Sequence, residues 1–217
     1  LGPVPVWLPV ALAAAAVVAW WLGRLLVAVV LVAVLAVVLV VVLPRLRGTA
    51  PPTGGPLGSG APVPAVYRPW IERAGSLCPQ IGPALLAAQL AQESGFDPHA
   101  RSGVGAQGIA QFMPGTWPSW AVDADGNGVA SPWEPADAIT AQGRFMCALA
   151  AAARDGRAAG RLSGDVVALA LAGYNAGFGA VQAAGGVPPI PQTRGYVRSI
   201  LAAVHLYSTS PASGVSA

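Results

Sequence analysis

The sequence predicts an all-α domain, preceded by a transmembrane helical segment and a Pro/Gly-rich linker. Three observations carry this. Residues 25–43, LLVAVVLVAVLAVVLVVVL, form a charge-free apolar run long enough to span a bilayer as a helix. Residues 48–64, GTAPPTGGPLGSGAPVP, are dominated by Pro, Gly and Ser, the composition of a flexible to semi-extended linker. From residue 65 onward apolar residues recur at helical spacing, and no alternating run is long enough for a strand. The expected boundaries are therefore a membrane segment at 1–43, a linker at 44–64, a helical domain at 65–208 and a short tail at 209–217.

The N-terminal third leaves its own topology open. Residues 4–22 are also apolar but carry Pro5 and Pro9, and Gly23-Arg24 separates them from the second run. One long tilted helix and a two-pass hairpin both fit. Arg45 and Arg47 after the second run favour the cytoplasm for that flank, although the chemistry read downstream belongs outside the membrane. The chain has 217 residues, a formal charge of +3, and arginine at all twelve basic positions. Arg24, Arg45 and Arg47 belong to the apolar third, so the other nine arginines balance the nine acids and the domain is close to neutral. Without a basic patch interleaved with aromatics, nucleic-acid binding is excluded as a function.

Within the domain the elements follow from start, stop and spacing signals. A short helix is expected over 67–77. Pro83 suits a first helical position and Gly95 a stop, giving a helix over 83–94. An irregular lobe is expected between residues 95 and 134. Proline near its start and the set Ile139, Phe145, Met146 and Leu149 predict an amphipathic helix over 135–154. Ser163 is a candidate cap for a helix over 165–175, with Val166, Leu169, Ala170 and Tyr174 on one face. Thr193 is a candidate cap for a last helix with Tyr196, Ile200, Val204 and Tyr207 in register.

The candidate catalytic residue is Glu93. Leu86, Leu90 and Glu93 share a helix face, with Gln89 beside them. A carboxyl on an apolar face, in the last turn of a helix, has its charged form disfavoured twice: by burial and by the negative end of the helix dipole. An acid still protonated near neutral pH is what general acid catalysis needs. Spacing alone equally fits a solvated residue at the helix end.

The surrounding order of residues favours the first reading. Glu93-Ser94-Gly95-Phe96, Ala100-Arg101-Ser102, Gly105-Ala106 and Gly108-Ile109-Ala110-Gln111-Phe112-Met113-Pro114 resemble the signature of the soluble lytic transglycosylase (SLT) family, relatives of goose-type lysozymes. The resemblance extends over residues 64–207. It implies a lysozyme-like, mainly helical catalytic domain with Glu93 as sole acid. Ala172-Gly173-Tyr174-Asn175-Ala176-Gly177 resembles the family's A-Y-N-A-G stretch, with Gly173 in place of alanine. Residues 188–197, PPIPQTRGYV, resemble its P-x-E-T-x-x-Y-V stretch, with Gln192 in place of glutamate. The resemblance makes Ser102, Gln111, Met113, Tyr174, Asn175, Gln192 and Tyr196 groove-lining, substrate-binding positions. Trp117, Trp120 and Trp133 could stack on sugar rings or pack in the core. His99 reads as a loop residue and His205 as packed or solvated; neither sits in a ligand cluster.

Two further features stand apart from the groove. Cys78 and Cys147 are an even pair that suits a disulfide in an extracytoplasmic domain, or two buried thiols. Residues 123–134, DADGNGVASPWE, fit the calcium-loop pattern at every constrained position. Asp123, Asp125 and Asn127 would give side-chain oxygens, Val129 its carbonyl, Ser131 a direct or water-bridged contact and Glu134 a bidentate carboxylate. The competing reading is an ion-free Asx-turn loop. Some membrane-bound members of the family carry a calcium loop, which supports a structural ion; the chemistry itself requires no cofactor.

The resemblance implies an enzyme that cleaves the β-1,4 bond between N-acetylmuramic acid and N-acetylglucosamine in peptidoglycan, and the apolar run at 25–43 would anchor it to the membrane. Glu93 would serve as acid and then base, and the muramic C6 hydroxyl would close a 1,6-anhydro ring. Such a domain belongs outside the cell membrane, facing the wall, where an envelope-spanning machine is a conceivable partner. A goose-type hydrolase, in which water replaces the C6 hydroxyl, and a non-catalytic wall-binding module are the alternatives.

Overall fold

In helix α2, Pro83–Ser94, residues Pro83 through Leu90 are all buried. A helix apolar on nearly every side can be stable only in the middle of a domain. The computed structural model describes residues 55–209, which hold six further helices. These are α1 (Arg68–Ala74), α3 (Trp117–Trp120), α4 (Pro135–Ala158), α5 (Val166–Ala176), α6 (Phe178–Ala184) and α7 (Pro191–Tyr207), with a 3₁₀ turn at Ala65–Tyr67 before α1. Helix α2 lies against α7 and α1, α4 against α1 and α5, and α5 against α6 and α7. Among the described residues the only β features are isolated bridges, so the domain is all-α as its periodicity predicts.

Start and stop chemistry explains the main boundaries. Pro83, Pro135 and Pro191 each sit at a helix start, where a missing N–H costs nothing. Gly95 closes α2 with φ 63°, a conformation that favours glycine. Two caps differ from expectation. Asp165, not Ser163, caps α5, its Oδ1 accepting the N–H groups of Val167 and Ala168. Ser163 instead donates to the Gly185 carbonyl. Helix α7 begins at Pro191, so Thr193 lies inside its first turn and does not cap it.

The linker boundary also moves. Residues 55–64 were expected to carry no core, yet Leu57 and Val63 are buried in it. Gly58 N–H donates to the Tyr207 carbonyl, Thr209 N–H to the Pro56 carbonyl, and Arg68 Nη2 to the Gly58 carbonyl. This segment therefore closes over the far end of α7, and residues 55–64 belong to the packed domain. The expected span at 25–43 and most of the expected linker lie outside the described residues. Among the described residues no helix is long and apolar enough to cross a membrane.

Cys78, just ahead of α2, is disulfide-bonded to Cys147 on α4, with Cα atoms 5.9 Å apart. The bond closes a loop of 69 residues that contains the whole irregular lobe. In the chain-entropy view such a closure contributes about 4.4 kcal/mol.

Candidate active site

Glu93 sits in the last turn of α2, and α7 brings Tyr196 to it. Tyr196 donates from Oη to Glu93 Oε1 at 2.5 Å. The same hydroxyl accepts from Gln89 Nε2 at 3.0 Å, one turn earlier on α2. Burial pushes the Glu93 carboxyl from 4.5 up to about 7, against the Tyr196 hydrogen bond, which pulls it down. Desolvation wins because one hydrogen bond does not replace the water that a carboxylate loses. Near neutral pH the side chain is thus divided between acid and carboxylate, the condition for giving and retaking one proton.

The end of α2 is tied to the loop that follows. Ser94 Oγ donates to the Ile109 carbonyl at 2.7 Å. Gln111 holds a left-handed backbone, φ 50°, unusual for a residue with a side chain. Its amide Nε2 donates to the carbonyls of Ala100 and Gly108. Gly108 is itself at φ 72°, and a Cβ there would lie 1.8 Å from the Pro132 carbonyl oxygen. The glycine is therefore where the groove loop and the Asp-rich loop touch.

Helix α5 supplies the other wall. Tyr174 donates to the Ala110 carbonyl at 2.8 Å, and its ring joins an aromatic layer with Phe145 and Phe112. Asn175 Oδ1 accepts from Thr193 Oγ1 at 2.9 Å, joining α5 to α7. Two hollows meet at Asn175. One is lined by Glu93, Gln92, Gln192, Tyr196 and Ser199, the other by Gln111, Met113, Phe145 and Tyr174. Together they make a groove with Glu93 on one side and exposed Met113 on the other. All nine acids of the chain lie within the described residues, and Glu93 alone lines this groove. A separate hollow near Asp155 and Arg161 contains none of the motif residues.

Of the positions named from sequence, Glu93, Gln111, Met113, Tyr174, Asn175, Gln192 and Tyr196 come together here. Ser102 does not line either hollow; its Oγ accepts the Ala106 N–H and stiffens the turn behind Gln111. Gly173 replaces alanine because a Cβ there would press on Phe178 Cδ2 and Leu149 Cδ2, 3.0 and 3.1 Å away. Trp120 stacks on Phe145 and Trp117 meets Phe112 edge-on, so both are packing residues. Trp133 lies under the Arg101 guanidinium. Exposed His99 donates its backbone N–H to Asp97. Two contributors escaped sequence reasoning: Thr193 as the support of Asn175, and Gln89 as the partner of Tyr196.

The Asp-rich loop is built differently. Asp123 accepts backbone N–H groups from Gly126, Asn127 and Gly128, which hold its carboxyl below the usual range, the Gly128 bond most strongly. Asn127 Nδ2 donates to Asp125 and Glu134, and Ser131 Oγ accepts from Trp133 N–H. Val129 is exposed. Asp137, outside the twelve-residue pattern and fully buried, accepts N–H groups from Ala124 and Ser131 and so clamps both sides of the loop. Carboxylate oxygens of Asp123, Asp125 and Asp137 lie within 4.8 Å of one another.

Residues 71–191, more than half of the chain, match the Transglycosylase SLT domain family. The fold is similar to the 70 kDa soluble lytic transglycosylase of Escherichia coli, at 27% identity and TM-score 0.50, over 66% of this chain and 24% of that one. A complex of the 70 kDa soluble lytic transglycosylase with bulgecin A gives 26% identity and TM-score 0.50 over the same shares. An inactive mutant of the lytic transglycosylase Slt from Pseudomonas aeruginosa gives 26% identity and TM-score 0.47, over 64% and 23%. The chain thus spans about a quarter of the length of these enzymes. With its family-matching segment running from inside α1 to the first residue of α7, the chain belongs to the Transglycosylase SLT domain family.

Proposed function

We propose that this chain is a peptidoglycan lytic transglycosylase in which Glu93 does the work of both acid and base. One observation carries the reading: a half-buried carboxyl poised near neutrality, held by Tyr196, is the only acid in the groove. Ordinary glycoside hydrolysis uses a second carboxylate to activate water or to attack the sugar; no other acid lines this groove. A nucleophile carried by the sugar itself removes that need, because an intramolecular hydroxyl has a high effective concentration.

The steps balance without water. Glu93 gives its proton to the glycosidic oxygen as the C1–O bond breaks. The C6 hydroxyl of the muramic residue forms a bond to C1 and returns its proton to Glu93. The products are a 1,6-anhydromuramoyl end and a free 4-hydroxyl on the neighbouring sugar. Tyr174 and Asn175 stand on the opposite wall, where a phenol buried in an apolar layer can face a sugar ring. The enzymes of similar fold are described as lytic transglycosylases, which supports the assignment. Incubating purified peptidoglycan with the full chain should release soluble muropeptides, and Glu93→Gln should release them about 10²–10⁴-fold more slowly. Equal release by the two would end the proposal.

The expected setting is the outer face of the cell membrane, with residues 25–43 as anchor. The disulfide supports it, since such bonds persist in oxidising compartments. A structural calcium ion in the loop at 123–134 is the accompanying proposal. The three carboxylates within 4.8 Å fit a divalent cation, with Asp123 and Asp125 as ligands and buried Asp137 as a third, unforeseen contributor. Asn127 and Glu134 already meet on the same side of the loop. The ion would supply loop order and take no part in the proton transfers.

A further inference from the structure

Gln89 lies one turn before Glu93 on α2 and has no exposed surface. A buried amide costs stability unless both of its ends are paired. Only one end is paired here: Nε2 donates to Tyr196 Oη, while Oε1 has no partner. An apolar side chain of the same length would fill this space without an orphaned acceptor, so packing does not account for a glutamine.

The hydroxyl that Gln89 contacts is the one that donates to Glu93 Oε1. A phenol carries one hydrogen. Were the amide turned end for end, Oε1 would face the same hydroxyl and compete with Glu93 for that hydrogen. With Nε2 facing it, the tyrosine oxygen is an acceptor from Gln89 and its hydrogen is directed to the carboxyl. We propose that Gln89 is a positioning residue: it commits the Tyr196 hydrogen to Glu93 Oε1, which leaves Oε2 as the oxygen that carries the transferable proton. This rests on the lytic transglycosylase reading of Glu93, and it adds a residue that no part of that mechanism requires.

The relay has a measurable consequence. Hydrogen bonds in a chain polarise one another, so Gln89 strengthens the bond from Tyr196. That bond favours ionised Glu93 and opposes the effect of burial. Removing Gln89 should therefore raise the titration midpoint of Glu93. Few groups can confuse the result. The titratable side chains coupled to Glu93 are Tyr196 of α7 and Tyr174 of α5, both held neutral by burial. Helix α2 has no other titratable side chain, and the remaining lining of this hollow, Gln92, Asn175, Gln192 and Ser199 among it, carries no charge.

Labelling glutamate carboxyl carbons with carbon-13 puts three signals in the spectrum of the full chain, from Glu72, Glu93 and Glu134. The signal lost in Glu93→Gln identifies Glu93, and its titration needs no turnover. Gln89→Leu should move the midpoint up by about 0.5 pH unit, the scale of a weakened charge-assisted bond. Tyr196→Phe should move it further, and adding Gln89→Leu to Tyr196→Phe should change nothing more. Unbranched Gln89→Met gives the same comparison where leucine does not fit the site. An unmoved midpoint in Gln89→Leu and Gln89→Met overturns the proposal, as does an equal shift with and without the tyrosine hydroxyl. Wall digestion by the unmodified chain is scored separately, so failure of the enzymatic reading is distinguishable from failure of the relay.

Discussion

Glu93 and Asp123 are both carboxylates inside recognisable sequence motifs, and the fold treats them oppositely. Glu93 is drawn away from water at the end of a buried helix, meets one side-chain donor and is pushed up to about 7. Asp123 stays exposed, collects three backbone N–H groups and is held below its ordinary value. The first arrangement makes a proton donor at neutral pH; the second makes a permanent anion suited to order a loop or hold a cation. What separates them is the supply of donors relative to the water removed. The two regions touch at Gly108, where the groove loop rests on the Pro132 carbonyl.

The largest effects should come from removing the raised acid. Glu93→Gln should lower turnover on peptidoglycan by about 10²–10⁴-fold, the usual worth of general acid catalysis. The same change should stabilise the fold at alkaline pH. A carboxyl raised in the folded state contributes fully below its unfolded value near 4.5 and loses that contribution as pH rises through about 7. The loss amounts to about 3 kcal/mol. Melting curves of the wild type should therefore fall between these pH values, while Glu93→Gln should stay flatter and melt higher at pH 8. Parallel curves for the two proteins would mean that Glu93 titrates normally and that the contrast with Asp123 is absent.

Gly108→Ala probes the contact between the regions. It combines a left-handed backbone with a Cβ driven into the Pro132 carbonyl. Backbone strain alone costs on the order of 1–3 kcal/mol, and displacing the carbonyl adds to it. The melting temperature and the turnover should fall together, since Gln111 is anchored on the Gly108 carbonyl. A variant with full activity and unchanged melting would show that the two loops are independent.

The smallest effect concerns the Asp-rich loop. Calcium bound only to the folded state stabilises it by about 2.7 kcal/mol at a hundredfold excess over Kd, and an extracellular site binds at roughly 10⁻⁴–10⁻³ M. Calcium at about 10 mM should raise the melting temperature modestly, chelation with EGTA should reverse it, and magnesium should do less because its octahedral shell is smaller. Asp137→Asn and Glu134→Gln should each weaken the response. An identical melting curve with and without calcium would return the loop to an Asx-turn held by its own backbone.

Much of this was legible in the chain, for physical reasons that differ by element. Helix α2 declares itself through Pro83, Gly95 and its apolar spacing, all local signals. The caps did not: Ser163 and Thr193 are good capping types, but Asp165 and Pro191 are better placed, and a difference of two residues lies below what spacing resolves. Leu57 and Val63 looked like linker residues because the surface that buries them includes the far end of α7, which no local pattern reveals. Asp137 fell outside a twelve-residue template although it clamps the loop from the next helix. Gln89 was visible beside Glu93, but its role depends on a tyrosine that only the packing of α2 on α7 supplies.

The central claim is that one acid suffices because the sugar supplies its own nucleophile. Mass spectrometry of the muropeptides released by the full chain from purified peptidoglycan tests it directly. The account predicts fragments ending in 1,6-anhydromuramic acid, each lighter by one water than a hydrolysis product. Fragments with ordinary reducing ends would contradict it, and would mean that water takes the place of the C6 hydroxyl.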